Sequence, residues 1–430
     1  MKKRLFMFAT AALMLAACSN DGEVAVNDGA AQLQSGSGAV AFDTYTSSAT
    51  KSGDPGVQTT ATLQLEHKGF GVFAQYSNNG DYSKGTDPVA NFMYNQQVEY
   101  ATGAWTYSPL KYWPNETVGD PQAATGVSAA TDKLSFFAYA PYVSGTPSGT
   151  GIDGMIANTA KDIDPWVSYT VATDPSQSVD LLWGVAPAGG LSYPNVAGGT
   201  TTVSEGMPLM NLIKPAKDQK IKFLFQHALA RIGLTVVYAA DQISAGGALD
   251  AQTKIAVKEV SIIEEASPLY RLATSGKLNL NNTTKFQSLW SDKDGIFSAT
   301  IPLAGLNPNI AYKTNASDTW GQTGDWTGVT NVETDVIKDK KYFMVIPGHI
   351  DTDLKVTITY DVITKDDKVA TGYSEVENVI TKKITVSKLT NNKAYNLKLI
   401  LGMTSVKLDA EVADWQVDGS NEVYLPQNKE

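Results

Sequence analysis

The chain has 430 residues, of which 43% are hydrophobic and 18% charged, with one cysteine, three histidines and a formal net charge of −10. An acidic chain with no basic cluster beyond its first residues lacks the lysine and arginine surplus that nucleic acid requires, so nucleic acid is excluded as a partner. So few cysteines and histidines leave little for a transition-metal site or for imidazole catalysis. We therefore predict a protein that is not an enzyme and uses no cofactor and no metal.

The N-terminus predicts an export signal. Basic residues at positions 2–4 precede an apolar stretch, residues 5–17, that is too short to span a bilayer. This stretch ends in Leu-Ala-Ala followed by Cys18, which resembles the lipobox of bacterial lipoproteins, where cleavage before the cysteine leaves it carrying diacylglycerol. We predict that residues 1–17 are a signal peptide and that Cys18 is the lipid attachment site. The alternative is ordinary cleavage, with Cys18 left as a free thiol.

Residues 18–39 contain no aromatic residue and end in glycine and serine, which predicts a flexible tether. From Val40 onward the sequence consists of short apolar runs separated by Gly, Pro, Asn and Asp. Apolar residues alternate with a period of two, which predicts strands with one buried face. The alternating positions are Ile221, Phe223 and Phe225; Ala230, Ile232, Leu234, Val236 and Tyr238; Val356, Ile358, Tyr360 and Val362; and Tyr395, Leu397, Leu399 and Leu401. Sustained helical periodicity is absent, so the predicted fold class is an all-β sandwich.

The length predicts two domains or more. The segment at residues 208–215, bounded by two prolines and followed by a charged stretch, is the best candidate for a domain boundary. We therefore predict domains at residues 40–215 and 216–430. Near the C-terminus, residues 405–412 alternate as a half-buried strand with Val406, Leu408, Ala410 and Val412 on one face, after which the apolar positions shift by one residue.

Motifs for common enzymes are missing from the sequence, including those of zinc proteases, α/β-hydrolases and phosphate-binding loops. Residues 292–295 and 351–353 carry aspartates that could offer oxygens to calcium, but turns explain them better. A glycosidase needs only two carboxylates, so that class stays open. His227, between two alternating runs, is predicted to be structural.

Four aromatic residues cluster in the sequence at Trp105, Tyr107, Tyr112 and Trp113. Flat aromatic faces could stack against sugar rings, and the same spacing also suits a sandwich core. We favour the core interpretation.

Several segments, taken in order, resemble the fimbrillin family, the pilin subunits of type V pili on anaerobic Gram-negative bacteria. The resemblance covers most of the chain after the signal peptide. Besides the lipobox at Cys18, the segments that carry it are VAFDTY at 40–45 with ATKSG at 49–53, GFGVFAQY at 69–76, NFMYN at 91–95, WTYSP at 105–109 with YWP at 112–114, LSFFAYAP at 134–141, FQHALA at 225–230 and AEVADW at 410–415.

This resemblance implies two tandem transthyretin-like β-sandwich domains and export as a lipoprotein to the outer membrane and the cell-surface fimbrium. In the family, an extracellular trypsin-like protease cuts after a basic residue, usually arginine, in the loop behind the first strand. The matching position here is Lys51, which would leave Ser52 as the new N-terminus. Because lysine replaces the usual arginine, the identity of the protease is open.

Removing the first strand would leave an open groove, which a strand from another fimbrial subunit can fill, so the implied partners are subunits of a homo- or heteropolymer. Val40, Phe42 and Thr44 would line one face of the displaced strand. We predict that residues 413–426 supply the donor strand to the neighbouring subunit; a closing hairpin inside the second domain is the equal alternative. The candidate donor side chains are Ala413, Trp415, Val417, Val423 and Leu425.

The competing function is a monomeric cell-surface lipoprotein that binds glycans. Such a protein would keep its first strand, and its sugar-binding surface would use exposed aromatic residues.

Overall fold

The structure is a computed structural model. It describes residues 39–46, 56–65, 69–77, 80–82, 91–114, 132–145, 155–158, 164–195, 199–215, 219–239, 249, 252–265, 272–283, 290–313, 328–348, 352–386, 389–403, 406–414 and 423–424.

The described chain is built almost entirely from strands. In the first half these are β1 Phe42–Thr46, β2 Phe70–Ser77, β3 Met93–Ala101, β4 Ala104–Thr106, β5 Lys133–Ala140, β6 Met155–Ala157, β7 Trp166–Thr170, β8 Leu182–Val185, β9 Leu191–Pro194, β10 Thr200–Val203, β11 Leu209–Leu212 and β12 Ile221–His227. The second half has β13 Ala230–Tyr238, β14 Thr253–Glu264, β15 Ser275–Asn279, β16 Trp290–Asp294, β17 Ser298–Ile301, β18 Thr334–Asp335, β19 Phe343–Val345, β20 Thr352–Lys365, β21 Tyr373–Val386, β22 Lys393–Leu401, β23 Val406–Asp414 and β24 Val423–Tyr424. The predicted all-β sandwich is confirmed.

One short α-helix, α1 Thr60–Leu65, and 3₁₀ turns at Pro175–Gln177, Leu303–Gly305 and Lys338–Lys340 complete the described elements. None of the helices in these ranges has the length and apolar character needed to cross a membrane.

The first large sheet has eight strands in the order β1-β12-β8-β5-β2-β3-β4, with β11 pairing on β5. Both of its faces are buried, because adjacent residues of its central strands enter different hydrophobic clusters. In β5, Phe136 packs into one cluster and Phe137 into the other, and in β2 Val72 and Phe73 divide in the same way. A sheet covered on both sides has nearly continuous apolar strands instead of an alternating pattern.

The second half forms a sandwich. A six-stranded sheet, β18-β13-β22-β23-β24 with β19 on β13, shares one hydrophobic core with a four-stranded sheet, β17-β14-β20-β21. The alternating runs predicted as strands are β12, β13, β20 and β22, and their alternate apolar residues are buried. The prediction of a single buried face is wrong for β12 and β13, because most residues between the alternating positions are buried too. A further four-stranded sheet, β16-β15-β7-β6, and the two-stranded ribbon β10-β9 complete the described pairing.

The segment at residues 208–215, predicted as the domain boundary, contains a strand. Leu209–Leu212 forms β11, which pairs with β5, and both Leu209 and Leu212 are fully buried. The prolines that bound the segment therefore flank a strand instead of marking an exposed connection. Strand pairing also crosses the boundary predicted after residue 215, because β12 lies in the eight-stranded sheet and β15 pairs with β7.

Candidate functional site

The first strand, β1, lies at the end of the eight-stranded sheet. It pairs in parallel with β12 from Phe42 opposite Ile221 to Thr46 opposite Phe225, and the Ile221 N–H donates to the Ala41 carbonyl at 2.8 Å. Since β12 has β8 on its other side, removing β1 would leave β12 with a row of unpaired backbone donors and acceptors.

The side chains of β1 that the sequence assigns to one face are buried. Val40, Phe42 and Thr44 are 0%, 2% and 6% exposed. Their two-residue spacing directs them to the same side of the strand, and Ala41 on the opposite side is also buried, at 6% exposed. Displacement of this strand stays a prediction.

Phe42 is the main apolar anchor of β1. Its ring centroid lies 5.5 Å from that of Tyr107, 5.8 Å from Phe136, 6.1 Å from Phe223 and 6.2 Å from Phe70. Aromatic pairs at these separations stabilise beyond the area that they bury. A strand that replaces β1 must therefore bring a large apolar side chain to this position.

The start of β1 is also held by polar contacts from the segment after β4. The Tyr107 hydroxyl donates to the Val40 carbonyl at 2.8 Å, and the Val40 N–H donates to the Lys111 carbonyl at 2.8 Å. Burial raises the pKa of the Tyr107 hydroxyl to about 12, so the hydroxyl stays protonated and remains a donor at physiological pH. Tyr107 therefore fastens β1 to the rest of the domain.

The aromatic cluster of the sequence is mostly core. Trp105, Tyr107 and Trp113 are only 5%, 5% and 6% exposed, whereas Tyr112 is 50% exposed. The core interpretation is confirmed for the first three. Buried rings cannot stack against a sugar, so these three offer no platform for a glycan.

The chain is anchored again after the region of the predicted cleavage site. The Gln58 N–H donates to Asp180 Oδ2 at 3.0 Å, and Nδ1 of His227, at the end of β12, lies 2.6 Å from the same oxygen. Asp180 and His227 are both buried, and the structural role predicted for His227 is confirmed. Cys18, Lys51 and Ser52 lie outside the described residues.

The C-terminal strand differs in part from its prediction. Val406 and Ala410 of β23 are buried, and Leu408 and Val412 pack against the core, as their alternation predicts. The predicted shift by one residue does not start at Ala413, because β23 pairs with β22 in one register as far as Asp414. An unbroken ladder keeps alternate side chains on their original faces.

The candidate donor segment is only partly described. Ala413 pairs with Ala394 in β22, and Val423 in the two-residue strand β24 pairs with Val412. Trp415, Val417 and Leu425 lie outside the described residues. Within one chain the described residues of this segment and β1 belong to different sheets.

The sequence did not reveal β12 as the strand that pairs with β1, nor the residues outside β1 that contact it. Nothing in the local pattern links β1 to β12, which pairs with it in parallel across a long stretch of chain. The matching alternation of Phe42–Thr44 with Ile221–Phe223 was the available signal, but many other strands alternate in the same way.

No group of three or more His, Cys, Asp or Glu residues is placed to hold a metal ion in the ranges that the structure describes. Asp294 Oδ1 accepts from the Gly295 N–H at 2.8 Å, which is the turn hydrogen bond that favoured a turn over a calcium site.

Comparisons with known proteins place this fold. No family model matches the chain. The chain is 24% identical to fimbrium subunit Fim1C of Phocaeicola vulgatus, over 99% of this chain and 100% of that protein. Its fold is similar to the crystal structure of a fimbrial protein from Bacteroides vulgatus, with a TM-score of 0.59 and 21% identity over 88% of this chain and 99% of that one. The resemblance to fimbrillins is thereby confirmed: the chain is similar to a fimbrium subunit over nearly its whole length.

Proposed function

We propose that the chain is a structural subunit of a surface fimbria and serves adhesion. It is exported by its signal peptide as a lipoprotein attached to the outer membrane through Cys18, is cut by a trypsin-like protease, and polymerises by exchange of its first strand. The full-length similarity to a fimbrium subunit supports the fimbrial role. The observation that carries the assembly mechanism is the position of β1 as a buried but terminal strand of the eight-stranded sheet.

Cleavage at Lys51 would separate β1 from the rest of the chain without disturbing the sheet. Lys51 lies between Thr46, the last residue of β1, and Gln58, which Asp180 holds. After the cut, β1 would be retained by the ladder with β12, by the packing of Val40 and Phe42, and by the contacts with Tyr107 and Lys111. None of these is covalent, so an incoming strand can compete for the same position.

The replacing strand must repeat the features that β1 supplies. Each large apolar side chain buried in the groove contributes about 1.5 to 3 kcal/mol, and each ladder hydrogen bond contributes about 1 kcal/mol. We propose residues 413–426 as the donor. In the uncut chain Val423 pairs with Val412, which favours the closing hairpin, so the donor role requires this two-residue strand to detach.

The processing step is tested on fimbriae extracted from cells. N-terminal sequencing of heat-resistant oligomers should give Ser52, and Lys51→Arg should preserve both cleavage and polymer whereas Lys51→Ala should remove both. An N-terminus at lipidated Cys18 in assembled fibres would contradict the processing step for this chain.

The donor assignment has its own test. Deleting residues 418–430 should leave a folded, processed monomer that no longer extends polymers. Polymers of normal length after this deletion would assign these residues to the closing hairpin.

A further inference from the structure

A second strand edge is open in another sheet, in the second half of the chain. β21 ends the four-stranded sheet β17-β14-β20-β21, and its 14 residues pair with β20 in unbroken register from Tyr373 to Val386. On its outer side β21 has no hydrogen-bonded strand among the described residues. Neither a proline nor a bulge interrupts it, and a long regular edge is a template for pairing with another chain.

The two faces of β21 differ. Ile380 and Ile384 pack against the hydrophobic core, which fixes the inner face. The opposite face carries Glu375, Glu377, Val379, Thr381 and Lys383, all exposed. Val379 is 62% exposed at the centre of the strand.

The first half of β21 belongs to an acidic cluster. Lys258 Nζ lies 2.6 Å from Asp361, 2.8 Å from Glu377 and 3.8 Å from Glu375. One ammonium group faces three carboxyl groups, so this end of the strand keeps an excess of negative charge.

The second half of β21 has the opposite balance. Lys383 lies 2.6 Å from Glu265 and 3.2 Å from Asp353, and Glu265 also pairs with Lys355 at 2.6 Å. These two lysines and two carboxylates balance each other, and the exposed Lys382 adds a positive charge. β21 therefore has an excess of negative charge at one end and a net balance of one positive charge, from Lys382 on the face of Ile380 and Ile384, at the other.

We propose that two copies of the chain pair side by side through β21, in antiparallel orientation, about a two-fold axis at Val379. This arrangement places Glu375 of each copy opposite Lys383 of the other and sets the two Val379 side chains against each other. Parallel pairing would instead align acidic end with acidic end. Charge complementarity along the edge thus selects a second copy of this chain as the occupant.

Strand geometry supports this register. Alternate residues of an edge strand direct their N–H and C=O groups outward, so two copies of one strand form a ladder only when residues of the same parity face each other. A two-fold axis that passes through a residue pairs positions of the same parity and meets this condition. An axis that passes between two residues pairs positions of opposite parity and does not. Among such axes, the one at Val379 pairs valine with valine and both ends with opposite charge.

The contact is small. Residues 375–383 would pair over about 30 Å in a single ladder of hydrogen bonds. Such a contact is weak by itself, and its overall affinity increases when many copies are held together. It is separate from the β1 groove and does not depend on strand exchange. In a fimbria it would join subunits laterally instead of end to end.

Cysteine cross-linking of the uncut full-length chain tests the register. In a Cys18→Ser background, Val379→Cys would bring two sulfurs together, because opposed Cα atoms lie about 4.5 to 5.5 Å apart, within disulfide range. Thr381→Cys is the matched control, since it would face Glu377 and lie roughly 13 Å from its own copy.

Mild oxidation should convert most Val379→Cys chains to covalent dimers at micromolar concentration, with at least a tenfold excess over Thr381→Cys. Equal dimer yields for the two variants, or none for Val379→Cys, would overturn the proposal and assign the edge to another occupant. Sedimentation of the cysteine-free chain should show dimers that Val379→Lys abolishes and the turn variant Val369→Lys leaves intact. The same self-association in both lysine variants would also contradict it.

Discussion

Tyr107 determines how firmly the first strand is held at its start. Its hydroxyl donates to the Val40 carbonyl, and its ring packs against Phe42. Tyr107→Phe keeps the ring and removes the hydrogen bond, so we expect a loss of about 0.5 to 1.5 kcal/mol in unfolding free energy. After cleavage at Lys51, β1 should also leave faster.

Chemical denaturation measures the first effect, and the release of a labelled β1 peptide measures the second. Tyr100→Phe, at a hydroxyl-bearing residue 37% exposed beside Trp105, is the matched control. Release at the wild-type rate from Tyr107→Phe would show that this hydroxyl does not hold β1.

Asp361 makes the β20–β21 hairpin sensitive to pH. Burial, and next the hydrogen bond with Glu375, raise the pKa of Asp361 to about 6, against the opposing effect of Lys258. The folded state therefore binds this proton more tightly than the unfolded chain does. The stabilisation that protonated Asp361 contributes is complete below about pH 4 and is lost as the pH rises through about 6.

Thermal unfolding between pH 4 and pH 7.5 tests this dependence. The midpoint of Asp361→Asn should rise relative to wild type as the pH increases, because the variant has no proton to lose. The exposed turn variant Asp367→Asn should follow the wild-type curve. A constant difference between Asp361→Asn and wild type would exclude Asp361 as the source.

At the scale of elements, β1 depends on one aromatic side chain. Phe42→Ala should destabilise the uncut chain by about 3 to 5 kcal/mol, because the surrounding rings cannot close the cavity. Asp43→Ala, on the other face of the same strand, should cost far less. Equal losses in denaturant unfolding for the two variants would show that the ring cluster does not anchor β1.

The strands were predictable where large apolar residues recur at every second position, including β12 and β13, which are buried on both faces. Alternation located β12, β13, β20, β22 and most of β23, since each of these shows the spacing of its core residues directly. Elements whose stability comes from distant partners were not predictable. The parallel pairing of β1 with β12 has no local signal in the sequence. The segment that contains β11 was predicted as the domain boundary because prolines lie on both sides of it.

Of the candidate site, the buried face of Val40, Phe42 and Thr44 follows from sequence, but the parts that hold it do not. Tyr107 reaches Val40 only because the cluster from Trp105 to Trp113 folds over the start of β1. Helix α1 was also missed, since six residues are too few to show helical periodicity.

For the whole molecule, the pairing of β12 changes the division into domains. We propose that the first unit extends through His227 and the second begins at β13. β12 then belongs to the first unit, where it pairs with β8 and forms one wall of the groove that β1 occupies. This division keeps the replaceable strand and its pairing partner in one unit. Exchange of β1 then leaves the second sandwich undisturbed.

Strand replacement at β1 can be blocked and restored with a reversible disulfide between β1 and β12. Asp43 and Lys222 face each other in the β1–β12 ladder on its more exposed side, so Asp43→Cys with Lys222→Cys can form a disulfide in a Cys18→Ser background. A unique protease site replaces residues 49–52. After cleavage, the oxidised protein should stay monomeric on detergent gels. Reduction of the disulfide should then allow heat-resistant oligomers to form. Oligomers that form while the disulfide is closed, or the absence of oligomers after reduction, would contradict strand replacement at β1.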